Sequence, residues 1–96
     1  MLDQNVLSII KSVVNENLDR SKYKVFVFGS RTQTKHRKFS DIDIGILGPK
    51  ALPVLTLLQI KDGLSNSDIP YLVDVVDFST VSENFKKIAM SKTISL

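Results

Sequence analysis

The sequence contains no cysteine and no tryptophan, and it has only four glycines and three prolines in 96 residues. Without cysteine the chain can form neither a disulfide framework nor a thiolate metal site. With 43% hydrophobic and 24% charged residues, its composition excludes collagen-like, low-complexity and disordered chains. No apolar run reaches the roughly 18 residues that a membrane-spanning helix needs, so we expect no membrane association.

The length allows one hydrophobic core, and we predict a single domain over residues 1–96. A core of this size is marginal, so a homo- or hetero-oligomeric partner would help to stabilise it. Asp3 lies where a secretory signal would carry positive charge. We therefore expect no secretory signal and a cytoplasmic location.

The net charge of +3 is unevenly distributed. The segment 31–38 (RTQTKHRK) carries four cationic side chains and no acid, and the acidic residues Asp41 and Asp43 follow closely. This arrangement indicates a local site rather than a general nucleic-acid surface. The default interpretation of the basic segment is a solvated charge run, and His36 within it is more simply a loop residue than a catalytic base.

Hydrophobic periodicity and turn residues predict six elements in the order α-β-β-α-β-α, an α/β (α+β) domain with a small β-sheet and flanking helices. Asp3 is the expected N-cap of the first helix, Gly63 the expected C-cap residue of the second, and Thr80 with Glu83 the expected capping box of the third. The predicted elements are a helix over 3–20, strands over 24–28 and 41–47, a helix over 51–62, a strand over 71–78 and a helix over 80–90.

Two aspartates alternate with isoleucines in the second predicted strand. Asp41 and Asp43 point to one face, because residues i and i+2 of a strand share a face, while Ile42, Ile44 and Ile46 point to the core. Carboxylates this close repel one another unless a cation neutralises them. Mg²⁺ is held by carboxylates together with substrate phosphates, whereas a lone Asp-x-Asp is more often a solvated face.

A further aspartate, Asp74, lies in the middle of the third predicted strand between Val73 and Val75. A mid-strand acid in an apolar run is costly to bury unless it is paired or binds a metal, so we favour a functional role for Asp74. Asp77, three residues further on, points to the other face, and we interpret it as a structural acid at the strand end.

The first predicted strand runs directly into Gly29-Ser30-Arg31. Glycine allows close approach of the backbone to a ligand, serine donates a hydrogen bond, and arginine binds phosphate in a bidentate manner. Only ten residues, 31–40, separate Gly29-Ser30 from Asp41. A phosphate site and the carboxylates can therefore share one cleft.

Three segments in this order, Phe28-Gly29-Ser30-Arg31, Ser40-Asp41-Ile42-Asp43-Ile44 and Val73-Asp74-Val75-Val76-Asp77, resemble a minimal nucleotidyltransferase domain of the DNA polymerase beta-like superfamily. The resemblance covers nearly the whole chain and implies the polymerase beta-like fold with a mixed sheet. It also implies that Asp41, Asp43 and Asp74 are catalytic and bind two Mg²⁺ ions, and that Gly29 and Ser30 hold the triphosphate of a nucleotide such as ATP.

Small members of that family resemble the antitoxin half of a toxin–antitoxin pair. The resemblance implies transfer of AMP from ATP onto a tyrosine of a small helical HEPN-domain toxin. One position departs from the family's frequent Gly-Ser-Arg-x-x-Gly loop, since Thr34 occupies the second glycine position and restricts the backbone there.

Two alternatives remain open at the level of sequence. The chain is either an active transferase or a catalytically weak module that neutralises a toxin by contact. A nucleic-acid-binding role for 31–38 is less favoured, because three acids around a groove repel phosphate unless a metal ion is present. The predicted helix 51–62 is apolar on more than one side, which indicates a partner or dimer surface.

Overall fold

The computed structural model describes residues 4–29, 42–70 and 72–96 of the chain. Four strands form one sheet in the order β3-β2-β1-β4, in which β1 is antiparallel to β2 and β4, and β2 is parallel to β3. The mixed sheet with flanking helices confirms the predicted fold class. The elements are α1 (Gln4–Asn17), β1 (Lys24–Phe28), β2 (Ile42–Leu47), α2 (Val54–Ser65), β3 (Val73–Asp77), α3 (Glu83–Ala89) and β4 (Ile94–Ser95).

One face of the sheet packs against α1 and α2 and forms the main core. The isoleucine stripe predicted for β2 lies there with no exposed surface, and Ile10 of α1 and Ile60 of α2 are equally buried. Alternation along each strand places these aliphatic side chains on a single face. The buried isoleucines therefore anchor β2, the strand that carries Asp43, to the main core.

The opposite face of the sheet carries a smaller aromatic core. The ring of Phe78 lies 4.9 Å from the rings of both Phe26 and Phe28, in edge-to-face contacts that aromatic pairs favour. Gly45 fits beneath these rings because a Cβ atom there would collide with Phe26 and would approach Phe78 to 2.7 Å. Phe85 of α3 extends the cluster, so this helix covers part of the same face of the sheet.

The second helix extends further than predicted. Gly63 lies inside α2, which ends at Ser65 with Asn66 as its C-cap, so the prediction of a C-cap glycine was wrong. A Cβ atom at position 63 would lie 2.8 Å from Cγ1 of Val13 in α1. This glycine therefore allows two helices to approach closely instead of ending one of them.

The third helix begins later than predicted. Ser82 is its N-cap, and the Ser82 hydroxyl accepts a hydrogen bond of 3.2 Å from the Phe85 N–H. The predicted capping box from Thr80 to Glu83 was wrong, because the Thr80 hydroxyl donates instead to the main-chain oxygen of Asp77 at 2.9 Å. The predicted N-cap of α1, Asp3, lies outside the described residues.

A fourth strand, β4, was not predicted from the sequence. It pairs with the edge of β1, and the Leu96 N–H donates to the Val25 oxygen at 2.9 Å. Arg20, just after α1, donates to the main-chain oxygen of Leu96 at 2.6 Å and so ties this segment down. In the described parts of the chain, none of the helices has the length and apolar character needed to cross a membrane.

The turn that leads from α1 into β1 is stabilised by an aspartate. The Ser21 hydroxyl and N–H donate to Asp19 Oδ1 at 2.5 and 3.0 Å. These two hydrogen bonds stabilise the ionised carboxylate and lower the pKa of Asp19 below its ordinary value. The turn directs the chain towards the strand that ends at Gly29.

Candidate functional site

Two of the predicted aspartates lie side by side across neighbouring strands. Asp43 of β2 and Asp74 of β3 are direct partners in the parallel register. On its other side Asp43 pairs with Phe28, the last residue of β1. Directly paired residues share a face, so Phe28, Asp43 and Asp74 form one row across three strands on the aromatic face of the sheet.

The end of β1 meets this row at a glycine. Gly29 has a φ of 81°, in the left-handed region that glycine adopts readily and residues with a Cβ atom rarely adopt. A Cβ atom at this position would lie 3.3 Å from Cγ of Asp43 and closer still to its Oδ2. The turn at the end of β1 therefore lies directly against the Asp43 carboxylate, and glycine is required by both conformation and space.

The two carboxylates differ in their surroundings. Asp43 is half-buried between β1 and β3, whereas Asp74 on the edge strand is exposed. Two acids directly opposite each other on adjacent strands, whose spacing is about 4.8 Å, repel one another. Hard carboxylate oxygens arranged in this way suit Mg²⁺, which pairs one or two carboxylates with phosphate oxygens, so these residues fit the metal that the family implies.

The remaining predicted site residues lie outside the described residues. They are Ser30, Arg31 and Asp41, together with Thr34 and the rest of the basic segment. Within 4–29, 42–70 and 72–96, no group of three or more His, Cys, Asp or Glu side chains comes together. The described half of the site therefore consists of Gly29, Asp43 and Asp74.

Asp77, interpreted above as a structural acid, is buried on the opposite face of the sheet. The Leu52 N–H donates to its Oδ2 at 2.7 Å, just before α2 begins. The N–H and hydroxyl of Ser79 donate to its Oδ1 at 3.0 and 2.7 Å. Asp77 thus ties the segment before α2 and the turn after β3 to the sheet, which confirms its structural role.

Two pockets open beside the aspartate row, and sequence reasoning predicted neither. A pocket of about 360 Å³ lies between the end of β1 and α3, with Gly29 in its wall. A second pocket of about 380 Å³ lies beside Asp74, between the end of α2 and the start of β3. The apolar residues of 83–92 were the available signal for the first pocket, but the pattern alone does not distinguish a pocket wall from core.

The chain matches the family model described as polymerase beta, nucleotidyltransferase over residues 9–96. It is 37% identical over 82 residues to a protein from Haemophilus influenzae named "probable protein adenylyltransferase MntA". That alignment covers 85% of this chain and 70% of the relative.

Two solved structures share the fold at lower sequence identity. A chain in the crystal structure of a toxin–antitoxin with AMP-PNP superposes with a TM-score of 0.75 and 22% identity, covering 98% of this chain and 72% of that one. A chain in the complex of a tri-AMPylated Shewanella oneidensis HEPN toxin with MNT antitoxin gives a TM-score of 0.73 and 20% identity, covering 98% and 71%.

Proposed function

The chain belongs to the polymerase beta nucleotidyltransferase family, and we propose that it transfers AMP from ATP onto a small helical HEPN-type toxin and acts as the antitoxin of that partner. Its relative from Haemophilus influenzae bears the name of a protein adenylyltransferase, and the solved structures that share its fold come from toxin–antitoxin complexes. These relatives support both the type of reaction and the type of partner.

The observation that carries the proposal is the pairing of Asp43 with Asp74 next to Gly29. We assign Asp41, Asp43 and Asp74 to the binding of two Mg²⁺ ions. Bound Mg²⁺ neutralises charge on the attacking and leaving oxygens of an in-line displacement. Gly29 belongs, with Ser30 and Arg31, to the loop that holds the triphosphate, and its lack of a side chain lets this loop begin directly against the Asp43 carboxylate.

The reaction forms one bond and breaks another at the α-phosphorus of ATP. The acceptor hydroxyl oxygen, which we propose belongs to a tyrosine, bonds to the α-phosphorus, and the bond to the bridging oxygen breaks so that pyrophosphate leaves. Asp74 is exposed on the edge strand, where an incoming acceptor can reach it. We assign it to taking up the hydroxyl proton; if Asp74 instead held Mg²⁺, the metal would make that hydroxyl more acidic and its proton would pass to solvent.

The exposed apolar surface of α2 supports the proposal that the acceptor is a protein. Val54, Leu55 and Leu58 are 74%, 66% and 55% exposed. Residues three and four apart share a helix face, so the three side chains are neighbours. Apolar patches of this kind mark protein interaction surfaces, and we propose that the partner covers this one.

The test is transfer of labelled AMP from ATP, with Mg²⁺ present, onto the purified cognate partner. The wild-type chain is expected to label the partner, whereas Asp43→Asn and Asp74→Asn lose at least about 100-fold in rate, because each removes a charged group at the reacting centre. Glu16→Gln is the matched control, since Glu16 is an exposed acid on α1 and its variant should retain full activity. A wild-type chain that binds ATP but labels no partner would refute the proposal.

The contact-only alternative makes a different prediction for the same variants. If binding alone neutralises the toxin, cells that produce the toxin will survive with the double Asp41→Asn, Asp43→Asn variant as well as with wild type. If chemistry is required, that variant fails to protect although it still binds the toxin. Co-purification of variant and toxin supplies the binding control.

A further inference from the structure

We propose that Asp77 is a positioning residue for the partner protein, because its carboxylate fixes the start of α2 relative to the strand that carries Asp74. The inference rests on the proposed function, since it takes the apolar patch of Val54, Leu55 and Leu58 as a contact of the partner. It goes further by assigning this buried acid a part in the affinity for the partner, in addition to its part in stability. Asp77 itself does not touch the reacting atoms.

The start of α2 depends on Asp77 because the helix has no side-chain cap of its own. Pro53 is the N-cap residue, it makes no capping hydrogen bond through its side chain, and the first turn contains no acid. The Leu52 N–H, two residues before the helix begins, donates instead to Asp77 Oδ2 at 2.7 Å. A carboxylate near a helix N-terminus also interacts favourably with the helix dipole. β3 therefore supplies the group that fixes this end of α2.

The link between Asp77 and Leu52 is rigid because both residues are buried. Leu52 packs in the main core. The other carboxylate oxygen of Asp77 accepts from the N–H and the hydroxyl of Ser79 at 3.0 and 2.7 Å. Because both oxygens are occupied, the carboxylate cannot turn away from Leu52 without leaving a buried donor unpaired, which is costly. The start of α2 and the end of β3 are therefore held as one unit.

Asp74 and the apolar patch of α2 lie on opposite sides of β3. Asp74 is on the aromatic face, whereas Asp77 pairs with Ile46 of the main core and lies on the face that α2 covers. Three residues separate the two aspartates, which corresponds to about 10 Å along a strand. Among the described strands β3 is at the edge of the sheet. A partner can therefore contact α2 on one side of this edge and place its acceptor hydroxyl at Asp74 on the other.

A partner that makes both contacts binds with an affinity that depends on their relative position. Two contacts made by one molecule reinforce each other only when the geometry allows both at once. The hydrogen bond from Leu52 to Asp77 sets that geometry before the partner arrives, and a preorganised surface binds more tightly than one that is ordered on binding. Loss of this hydrogen bond therefore lowers the affinity for the partner but leaves the chemistry in the bound complex unchanged.

The experiment is a mutant cycle on the affinity of the full chain for its purified cognate partner, measured by calorimetry. Asp77→Ala is expected to raise the Kd for the partner about tenfold, and so is a patch variant that combines Leu55→Ser with Leu58→Ser. Adding Asp77→Ala to the patch variant should change the Kd by less than about twofold, because Asp77 acts on affinity through the same patch. In the transfer assay, Asp77→Ala should raise the KM for the partner, with kcat and the Kd for ATP within about twofold of wild type.

Ser79→Ala is the matched control, because it removes a hydrogen bond to the same carboxylate and leaves the one from Leu52 in place. Its Kd for the partner should stay within about twofold of wild type. All variants are measured at a temperature at which circular dichroism shows them to be folded. Equal weakening by Ser79→Ala and Asp77→Ala, or an undiminished effect of Asp77→Ala in the patch variant, would overturn the positioning role.

The same measurements separate this inference from the proposed transfer. If the wild-type chain labels the partner but Asp77→Ala binds it with wild-type affinity, the transfer stands and the positioning role fails. If the wild-type chain binds the partner without labelling it and the cycle shows the expected coupling, the positioning role stands and the transfer fails. A wild-type chain that does not bind the partner contradicts both.

Discussion

Gly29 is important both for the backbone conformation at the end of β1 and for the proposed chemistry at Asp43. Replacing it with alanine forces a side chain into the left-handed region, which costs about 1–2 kcal/mol, and places a methyl group against the Asp43 carboxylate. We expect Gly29→Ala to lower the free energy of unfolding by at least that amount and to abolish AMP transfer. Urea unfolding and the transfer assay measure the two effects.

Gly63→Ala is the control for this glycine substitution. Gly63 lies inside α2, where alanine is favoured by about 1 kcal/mol, and its Cβ would meet only the side chain of Val13. Its effect on stability should be small because the gain in helix propensity offsets the tight contact. Loss of ATP binding in Gly63→Ala would show that glycine substitutions act through general destabilisation.

Substitutions of the two aspartates in β3 are expected to have different effects, one on stability and the other on AMP transfer. Asp77 accepts three hydrogen bonds in a buried position, and we expect Asp77→Ala to cost about 2–3 kcal/mol, because hydrogen bonds to a buried charge are strong and the Leu52 N–H loses its partner. Asp74 is exposed, so Asp74→Ala should leave the free energy of unfolding within about 0.5 kcal/mol of wild type.

Chemical denaturation together with nucleotide transfer distinguishes these roles. Asp77→Ala should retain transfer at temperatures where it stays folded, whereas Asp74→Ala should lose transfer while folded. The reverse pattern, with a stable inactive Asp77 variant and an active Asp74 variant, would contradict both assignments.

At the scale of elements, α3 is short and depends on its cap. The Ser82 hydroxyl satisfies the Phe85 N–H at 3.2 Å, and replacing an N-cap serine with alanine costs about 1 kcal/mol. We expect Ser82→Ala to speed amide hydrogen exchange throughout α3 and to lower the free energy of unfolding by about that amount. Thr80→Ala, two residues earlier, should leave exchange in α3 nearly unchanged because Thr80 bonds to Asp77 instead.

Three other elements, β2, β4 and α2, show where local sequence patterns predict the structure correctly and where they fail. The apolar stripe Ile42, Ile44 and Ile46 is a local period-2 signal, and the structure buries all three completely. β4 has only two residues, too few for alternation to be visible, and it exists because the edge of β1 is available to pair with it. Gly63 is a helix-ending residue by local preference, but packing against α1 overrode that preference.

For the whole molecule we propose a single cooperative domain over residues 1–96. ATP with Mg²⁺ should stabilise it by mass action, because a ligand that binds only the folded chain adds about 2.7 kcal/mol at 100 times its Kd. For a domain of this length that corresponds to a rise in Tm of roughly 10–20 °C, at about 4–8 °C per kcal/mol. Differential scanning calorimetry should show one transition that shifts upward with ATP and Mg²⁺.

Two further samples complete this experiment. EDTA should remove most of the shift, and Asp43→Asn should reduce it by weakening metal and triphosphate binding together. A shift that persists at full size in EDTA would contradict the assignment of the aspartates to Mg²⁺. Two separate transitions would contradict the single domain.

The sequence by itself determined the fold class, the family resemblance and the identity of Asp43 and Asp74 as candidate residues, because these depend on local alternation and on the order of short motifs. It also distinguished Asp77 from Asp74, since a separation of three residues reverses the face of a strand. These conclusions needed no knowledge of which strands are neighbours.

Only the tertiary structure decided that Asp43 and Asp74 are direct partners and that Gly29 lies against Asp43. Strand register depends on contacts between residues about thirty positions apart, and a slip by one residue would have moved Asp74 to the opposite face. The pocket beside Gly29 arises in the same way, from the packing of α3 against the end of β1. The chemistry of each residue is thus local, whereas its assembly into a site is a property of the folded chain.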